Sequence, residues 1–173
     1  SMPDASRVRA ALAKCDFVVV SDVTRTDTTR CADVLLPAAG WGEKDGTVTN
    51  SERRISRQRP FLPPPGEARA DWRIVCDVAA RMGFGEAFAF RAPAEIFREH
   101  AALSAFENGG ERLFDLGGFA DLTDEDYSTF APRLWPTSDR GEHQTRLFGD
   151  GRFPTPDGRA RFVAVRQEAT AFS

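Results

Sequence analysis

Short apolar runs separated by polar loops set the rhythm of the first third of the chain. Residues 4–14, DASRVRAALAK, place Val8, Ala11 and Leu12 at helical spacing behind Asp4 or Ser6 as N-cap, and predict a helix. Residues 15–20, CDFVVV, are a β-branched apolar run bounded by polar side chains, which predicts a short buried strand, most simply a parallel one. Ser21 and Asp22 end that run, and a Thr/Arg-rich loop continues to Arg30. A second run, ADVLLPAA, closed by Pro37, predicts another short strand. Helix, buried strand, polar loop and strand is the order of a doubly wound, mostly parallel α/β sheet, where ligands sit beyond the carboxyl ends of the strands. Ser21 and Asp22 stand at such an end, either as a plain polar terminus or as ligand contacts.

The pattern then changes. Residues 41–60, WGEKDGTVTNSERRISRQRP, show little helical or strand periodicity and read as a charged loop, tied down by the stiff connector PFLPPPG. Residues 71–82 form the clearest helix, with Asp71 at its start, Trp72, Val75, Cys76, Ala79 and Met82 on one stripe, and Gly83 as a stop. A further helix over 93–106 opens on Pro93. Residues 107–145 are Gly-rich and aromatic, with a brief helix over 124–130 and packing through Phe114, Phe119, Tyr127, Phe130 and Trp135. Turn signals at 149–151 and 156–158 between alternating apolar residues predict a C-terminal β-ribbon. The expected organisation is an α/β part over 3–84, a helical and loop-rich excursion over 85–145, and a ribbon over 146–166.

Composition narrows the function. A length of 173 residues suits one domain, or one domain with a sizeable excursion. A net charge of −3 supplies no global field for nucleic acid, and no run of about 18 apolar residues exists to span a membrane. Cys15, Cys31 and Cys76 are too widely spaced for a zinc or iron–sulfur pattern and suit reduced thiols in a cytoplasmic protein. The opening Ser1-Met2 suggests a piece of something longer. No nucleophile elbow, phosphate loop or dinucleotide glycine fingerprint occurs, and His100 and His143 have no triad partners in sequence. No catalytic or metal-ligating residue is expected in this chain.

What remains is charge on irregular backbone. Positive charge is almost all arginine, with Lys14 and Lys44 the only lysines. Lys44 lies between a Trp-Gly-Glu turn and Asp45-Gly46, where a compact ammonium can reach a phosphate or a pterin carbonyl. Asp22 can accept from a ribose hydroxyl or a guanine edge. Asn50, Ser51, Glu52, Arg53 and Arg54 can pair internally, Glu with Arg, and fix the loop.

The stretch ADVLLPAAGWGEKDGTVTNSERRISRQRP, followed by PPPGEARADWRIVCDVAARMGF, resembles the molybdopterin oxidoreductases that bind bis-molybdopterin guanine dinucleotide. Their A-D-[VI]-[VL]-L-P segment, W-x-E-K-x-G-x-x-x-N-x-E-R-R element, Pro/Gly-rich stretch and A-x-x-D-W helix start all occur here in order. Within that family NSERRISRQRP and PPPGEARADW are most similar to the bacterial assimilatory nitrate reductases, and the tail RLFGDGRFPTPDGRARFVAV is similar to a segment leading toward their last domain. The resemblance implies dinucleotide binding by Ser21, Asp22, Lys44 and Asp71, with Glu43, Asn50, Arg53 and Arg54 mainly fixing loops. It also implies a molybdenum cofactor and an iron–sulfur cluster in a larger parent, whose cluster cysteines and molybdenum-ligating cysteine have no counterpart here. The implied partners are the parent's remaining domains and an electron donor, with no nucleic acid and no membrane. The implied reaction is nitrate to nitrite, with the isolated chain inactive. The alternatives are a segment of a formate dehydrogenase or related molybdoenzyme, or a non-catalytic nucleotide-binding or interaction module.

Overall fold

In the computed structural model, residues 4–137 and 146–165 are described. Helix α1 spans Ala5–Leu12, capped by the Asp4 carboxylate, which accepts from the Arg7 N–H at 3.1 Å. Strands β1 (Val19–Asp22) and β2 (Val34–Pro37) pair in parallel, Val19 opposite Val34 and Asp22 opposite Pro37. The strand begins later than the apolar run, because Asp33 claims the backbone of Val18. Its carboxylate accepts the Val18 N–H at 2.8 Å, while its own N–H donates to Val18 O at 2.8 Å. Ser21 and Asp22 are therefore the last two strand residues rather than the residues that follow it.

The expectation of a buried strand is corrected. Val19 is 50% and Leu35 49% exposed, and α1 has no buried residue. Two strands and one short helix do not cover both faces of the pair among the described residues. The mixed α/β class stands, with one small parallel and one small antiparallel sheet.

Residues 41–60 are not an irregular loop. They build a β-hairpin of β3 (Gly46–Thr49) and β4 (Arg54–Gln58), with Thr47 opposite Arg57 and Thr49 opposite Ile55. A short edge strand, β5 (Arg133–Leu134), pairs with the start of β4. The hairpin turn closes on Asn50, whose side-chain oxygen accepts the N–H groups of Glu52 (3.1 Å) and Arg54 (3.0 Å). Arg53 takes up the left-handed backbone that completes the turn, at φ 69°. Only Ile55 offers the core a buried apolar side chain from β4, so the hairpin lacks a readable hydrophobic alternation.

Helix α2 (Asp71–Ala79) passes into a π-helical turn over Ala80–Phe84, where Gly83 stops it. Helix α3 (Pro93–Ala105) starts on its proline as expected, and α4 (Asp124–Ser128) is capped by Thr123 in a reciprocal box with Asp126. These last two helices carry the core. Phe97 of α3 packs with Phe119, Tyr127 and Phe130, joined by Ala94, Ala101, Leu116 and Ile55. The chain from 115 to 119 is clamped to Thr137, where a Cβ on Gly118 would lie 2.5 Å from the Thr137 carbonyl oxygen.

The tail departs from the expected ribbon. Its turns form, with Phe153 N–H donating to Gly158 O at 3.0 Å and the Phe148 and Phe153 rings stacked at 4.6 Å, but no strand occurs within residues 146–165. Pro154 removes a ladder donor in the run between the two turns, where the pairing would lie. Residue 166 of that expectation, and His143, lie outside the described residues.

Candidate functional site

The carboxyl ends of β1 and β2 lead directly into the charged segments. Ala38 N–H donates to Asp22 O at 3.1 Å, Ala39 N–H to Arg69 O at 2.8 Å, and Arg69 N–H to Pro37 O at 3.1 Å. These bonds bring the start of α2 alongside the exit of β2, so three segments distant in sequence share one edge. Asp22 folds back on its own loop: one carboxylate oxygen accepts the Val23 N–H at 2.7 Å and the Thr24 N–H at 3.4 Å. The other has only a long 3.4 Å contact from the Thr26 hydroxyl. Asp22 also lines an open hollow of about 330 Å³ with Val20, Thr24, Arg25 and Leu36. Ser21, one residue before, is exposed.

Beyond β2 the chain makes a 3-10 turn over Trp41–Glu43. The Glu43 carboxylate accepts the Gly40 N–H at 2.7 Å, which assigns it to holding that turn. Gly42 takes two hydrogen bonds on its carbonyl, from Phe61 (2.9 Å) and Leu62 (3.1 Å), and the Phe61 ring lies over it. A Cβ at Gly42 would come within 2.7 Å of that ring. Lys44 follows in extended conformation, and its ammonium meets the Asp71 carboxylate at 2.6 Å. Asp71 is the first residue of α2, and its side chain pairs with Lys44.

Of the four residues singled out from sequence, the structure joins Lys44 to Asp71 and places Ser21 and Asp22 together at a strand end. No hydrogen bond or ion pair links Asp22 to Lys44 or Asp71. The four arginines of the 41–60 stretch point elsewhere. Arg53 donates to Trp135 O, Arg54 pairs with Glu52 at 2.6 Å, and Arg59 donates to Ser128 O. Arg57 donates to Asp45, to Gly46 O (2.6 Å), to Gln58 O (3.0 Å) and to Tyr127 O (3.0 Å), while its guanidinium stacks 4.1 Å above the Tyr127 ring. Burial pushes the Tyr127 phenol above its ordinary value, with Arg57 opposing and Asp45 adding to the shift. Hydrogen bonds from Arg54 and Asn50 hold the Glu52 carboxyl below its usual range.

Sequence reasoning missed Arg57 and Asp45. A usable signal was the two-residue offset between Ile55 and Arg57. Once 54–58 is a strand, both face the core, and a buried arginine requires partners.

The donor and acceptor set suits a polar ligand carrying phosphate or carbonyl oxygens. An ammonium has three donors, and Asp71 is the only ion-pair partner Lys44 has among the described residues. Also among those residues, no group of three or more His, Cys, Asp or Glu is placed to hold a metal ion, and no helix is long and apolar enough to cross a membrane.

The family model described as molybdopterin oxidoreductase matches residues 1–81. A nitrate reductase of Klebsiella oxytoca is 53% identical over 98% of this chain and 19% of its own length. A nitrate reductase of Shewanella frigidimarina is 47% identical over 94% of the chain and 18% of its own length. The F420-dependent formate dehydrogenase subunit alpha of Methanocaldococcus jannaschii is 34% identical over 99% of the chain and 24% of its own. The chain thus spans about a fifth of the length of the curated relatives it matches. Among solved structures, acetylene hydratase from Pelobacter acetylenicus superposes with a TM-score of 0.58 at 21% identity, covering 89% of this chain and 19% of that one. That likeness concerns the fold alone.

Proposed function

We propose, on the match of residues 1–81 to the molybdopterin oxidoreductase family model, that the chain forms part of the wall that holds the organic portion of a molybdopterin cofactor in a larger oxidoreductase. The carrying observation is the Lys44–Asp71 ion pair at 2.6 Å, set beyond the carboxyl ends of β1 and β2 within the matched segment. Lys44 would present its remaining ammonium donors to phosphate or pterin oxygens, with Asp71 fixing where that ammonium sits. Asp22, beside its hollow, would accept from a guanine edge or a ribose hydroxyl, and Ser21 would donate at the same strand end. On this reading the cofactor is of the guanine dinucleotide form. When bound, the cofactor supplies two-electron, oxygen-atom chemistry at molybdenum; the residues here bind and orient it.

The substrate we assign is nitrate, reduced to nitrite, on the strength of 53% and 47% identity to nitrate reductases over nearly the whole chain. An assimilatory, cytoplasmic parent with an iron–sulfur cluster and a separate electron donor completes the reading. A formate dehydrogenase segment is the second reading, supported by 34% identity over 99% of the chain to a formate dehydrogenase subunit.

Two chimeras test this. The segment replaces its counterpart in the Klebsiella oxytoca nitrate reductase and, separately, in the Methanocaldococcus formate dehydrogenase subunit. The first should retain molybdenum, bound guanine nucleotide and nitrate reduction; the second should lose most of its cofactor. The opposite pattern would favour the formate reading. In the nitrate reductase chimera, Lys44→Ala should lower molybdenum and nucleotide content together, and full retention of both would sink the cofactor role.

A further inference from the structure

We infer that Arg25 reads the O6/N7 edge of guanine in the hollow beyond β1, where Asp22 takes the neighbouring, hydrogen-donating edge; this deepens the reading of Asp22 as a guanine contact and rests on it. The hollow measures about 330 Å³. That is the small end of the roughly 300–1,000 Å³ usual for ligand pockets, and suits one base rather than a whole dinucleotide. Val20, Val23, Leu36 and Pro37 give it apolar walls for the faces of a flat ring, and Asp22 and Arg25 line it as its charged groups. The two charges share the hollow without meeting. Neither a hydrogen bond nor an ion pair joins them, and Arg25 has no such partner among the described residues. Asp27, two residues on, pairs instead with Arg30 at 3.2 Å.

The loop that carries Arg25 is tied on both sides. Before it, the Asp22 carboxylate accepts the Val23 N–H at 2.7 Å. After it, the Thr26 N–H donates to the Thr29 hydroxyl at 2.8 Å, and that hydroxyl donates back to Thr26 O at 2.8 Å. Thr29 is buried, so the backbone around Arg25 is held while its guanidinium stays uncommitted. A phosphate does not suit this place, because it would face the Asp22 carboxylate as well as the guanidinium. Guanine does. Its N1–H and N2 amine donate to a carboxylate, and beside them O6 and N7 accept the two parallel N–H groups of a guanidinium. Adenine in the same pose sets an acceptor at N1 against the carboxylate and a donor at N6 against the guanidinium. Arg25 is thus a specificity-determining residue, acting on the base while Lys44 acts elsewhere on the cofactor.

Titration of the full 15N-labelled chain with nucleoside monophosphates, followed at the amides of Val20 and Val23, tests this. GMP is compared with 7-deaza-GMP, which lacks the N7 acceptor, with IMP, which lacks the N2 amine, and with AMP. In wild type, 7-deaza-GMP and IMP should each bind about tenfold more weakly than GMP, and AMP most weakly of all. Arg25→Ala should erase the difference between GMP and 7-deaza-GMP while keeping that between GMP and IMP; Asp22→Ala should do the reverse. Because Arg25 has no partner to lose, Arg25→Ala should also keep the wild-type urea midpoint. A wild-type chain blind to N7, or an Arg25→Ala chain that still detects it, would overturn the inference. So would a wild-type chain with no GMP-dependent shift, since the hollow would then not be a formed base site. A lowered urea midpoint in Arg25→Ala would overturn it too, by making Arg25 a structural residue. No molybdenum cofactor enters these titrations, so their failure is separate from failure of the cofactor reading, which the chimeras decide.

Discussion

Replacing Phe97 with alanine tests where this chain keeps its stability. Phe97 is 5% exposed, with ring centroids 6.0 Å from Phe119, 5.7 Å from Tyr127 and 5.8 Å from Phe130. Truncating a buried phenylalanine costs about 3–5 kcal/mol, the lost transfer term plus the cavity left behind. Set against a total of about 5–15 kcal/mol for a domain, that is a large share. The parallel pair makes the control. Leu35 is 49% exposed, and full burial of a leucine is worth about 1.5–3 kcal/mol, so Leu35→Ala should cost only about 1 kcal/mol. Urea unfolding followed by tryptophan fluorescence measures both, since Trp135 packs against the Phe97 cluster. Amide exchange in the β3–β4 ladder, at Val48 and Ser56, should accelerate in Phe97→Ala, because Ile55 of β4 closes the same cluster. If Leu35→Ala proved as costly as Phe97→Ala, the claim that α3, α4 and β4 carry the core would be wrong.

Three further substitutions each probe a single position. The Tyr127 hydroxyl is buried without a hydrogen-bond partner, so Tyr127→Phe should leave stability at pH 7 unchanged or raise it by about 1 kcal/mol in urea titrations. The raised Tyr127 value means the folded chain holds that proton longer than the unfolded one. Its contribution is whole below the ordinary tyrosine value of about 10 and is lost as pH rises through the folded value, so alkaline urea midpoints should fall more steeply in wild type than in Tyr127→Phe. Gly118→Ala would drive a methyl group to within 2.5 Å of the Thr137 carbonyl oxygen, and should cost about 1–3 kcal/mol in thermal unfolding. Lys44→Ala breaks a partly exposed ion pair, with the side chains 27% and 57% exposed. It should cost no more than about 1 kcal/mol, so lost cofactor in that variant would not reflect unfolding.

What the sequence disclosed, and what it did not, divides along a physical line. Helices α1, α3 and α4 were readable because their signals are local: Asp4 and Thr123 as caps, Pro93 in the first turn. The β3–β4 hairpin was not, because its strands carry almost no hydrophobic alternation and are held by partners far along the chain. Arg57 reaches Tyr127 across 70 residues, and Arg53 reaches Trp135 across 82. The tail misled for the opposite reason, since sound turn signals came with a proline, Pro154, in the run that would have paired. The candidate site was half legible: Ser21, Asp22, Lys44 and Asp71 were each visible on motif grounds, but their sorting into a strand-end pair and an ion pair was not. The same contacts explain why that stretch holds four arginines and a single lysine. Every arginine in it is directed back into the chain, onto backbone carbonyls or Glu52 and Asp45, where a planar fork can satisfy several acceptors at once. Lys44 does the other task. Its only ion-pair partner among the described residues lies across the edge, on α2. A charged stretch that looks uniform in sequence is therefore two devices, an arginine-tethered hairpin and the lysine it presents.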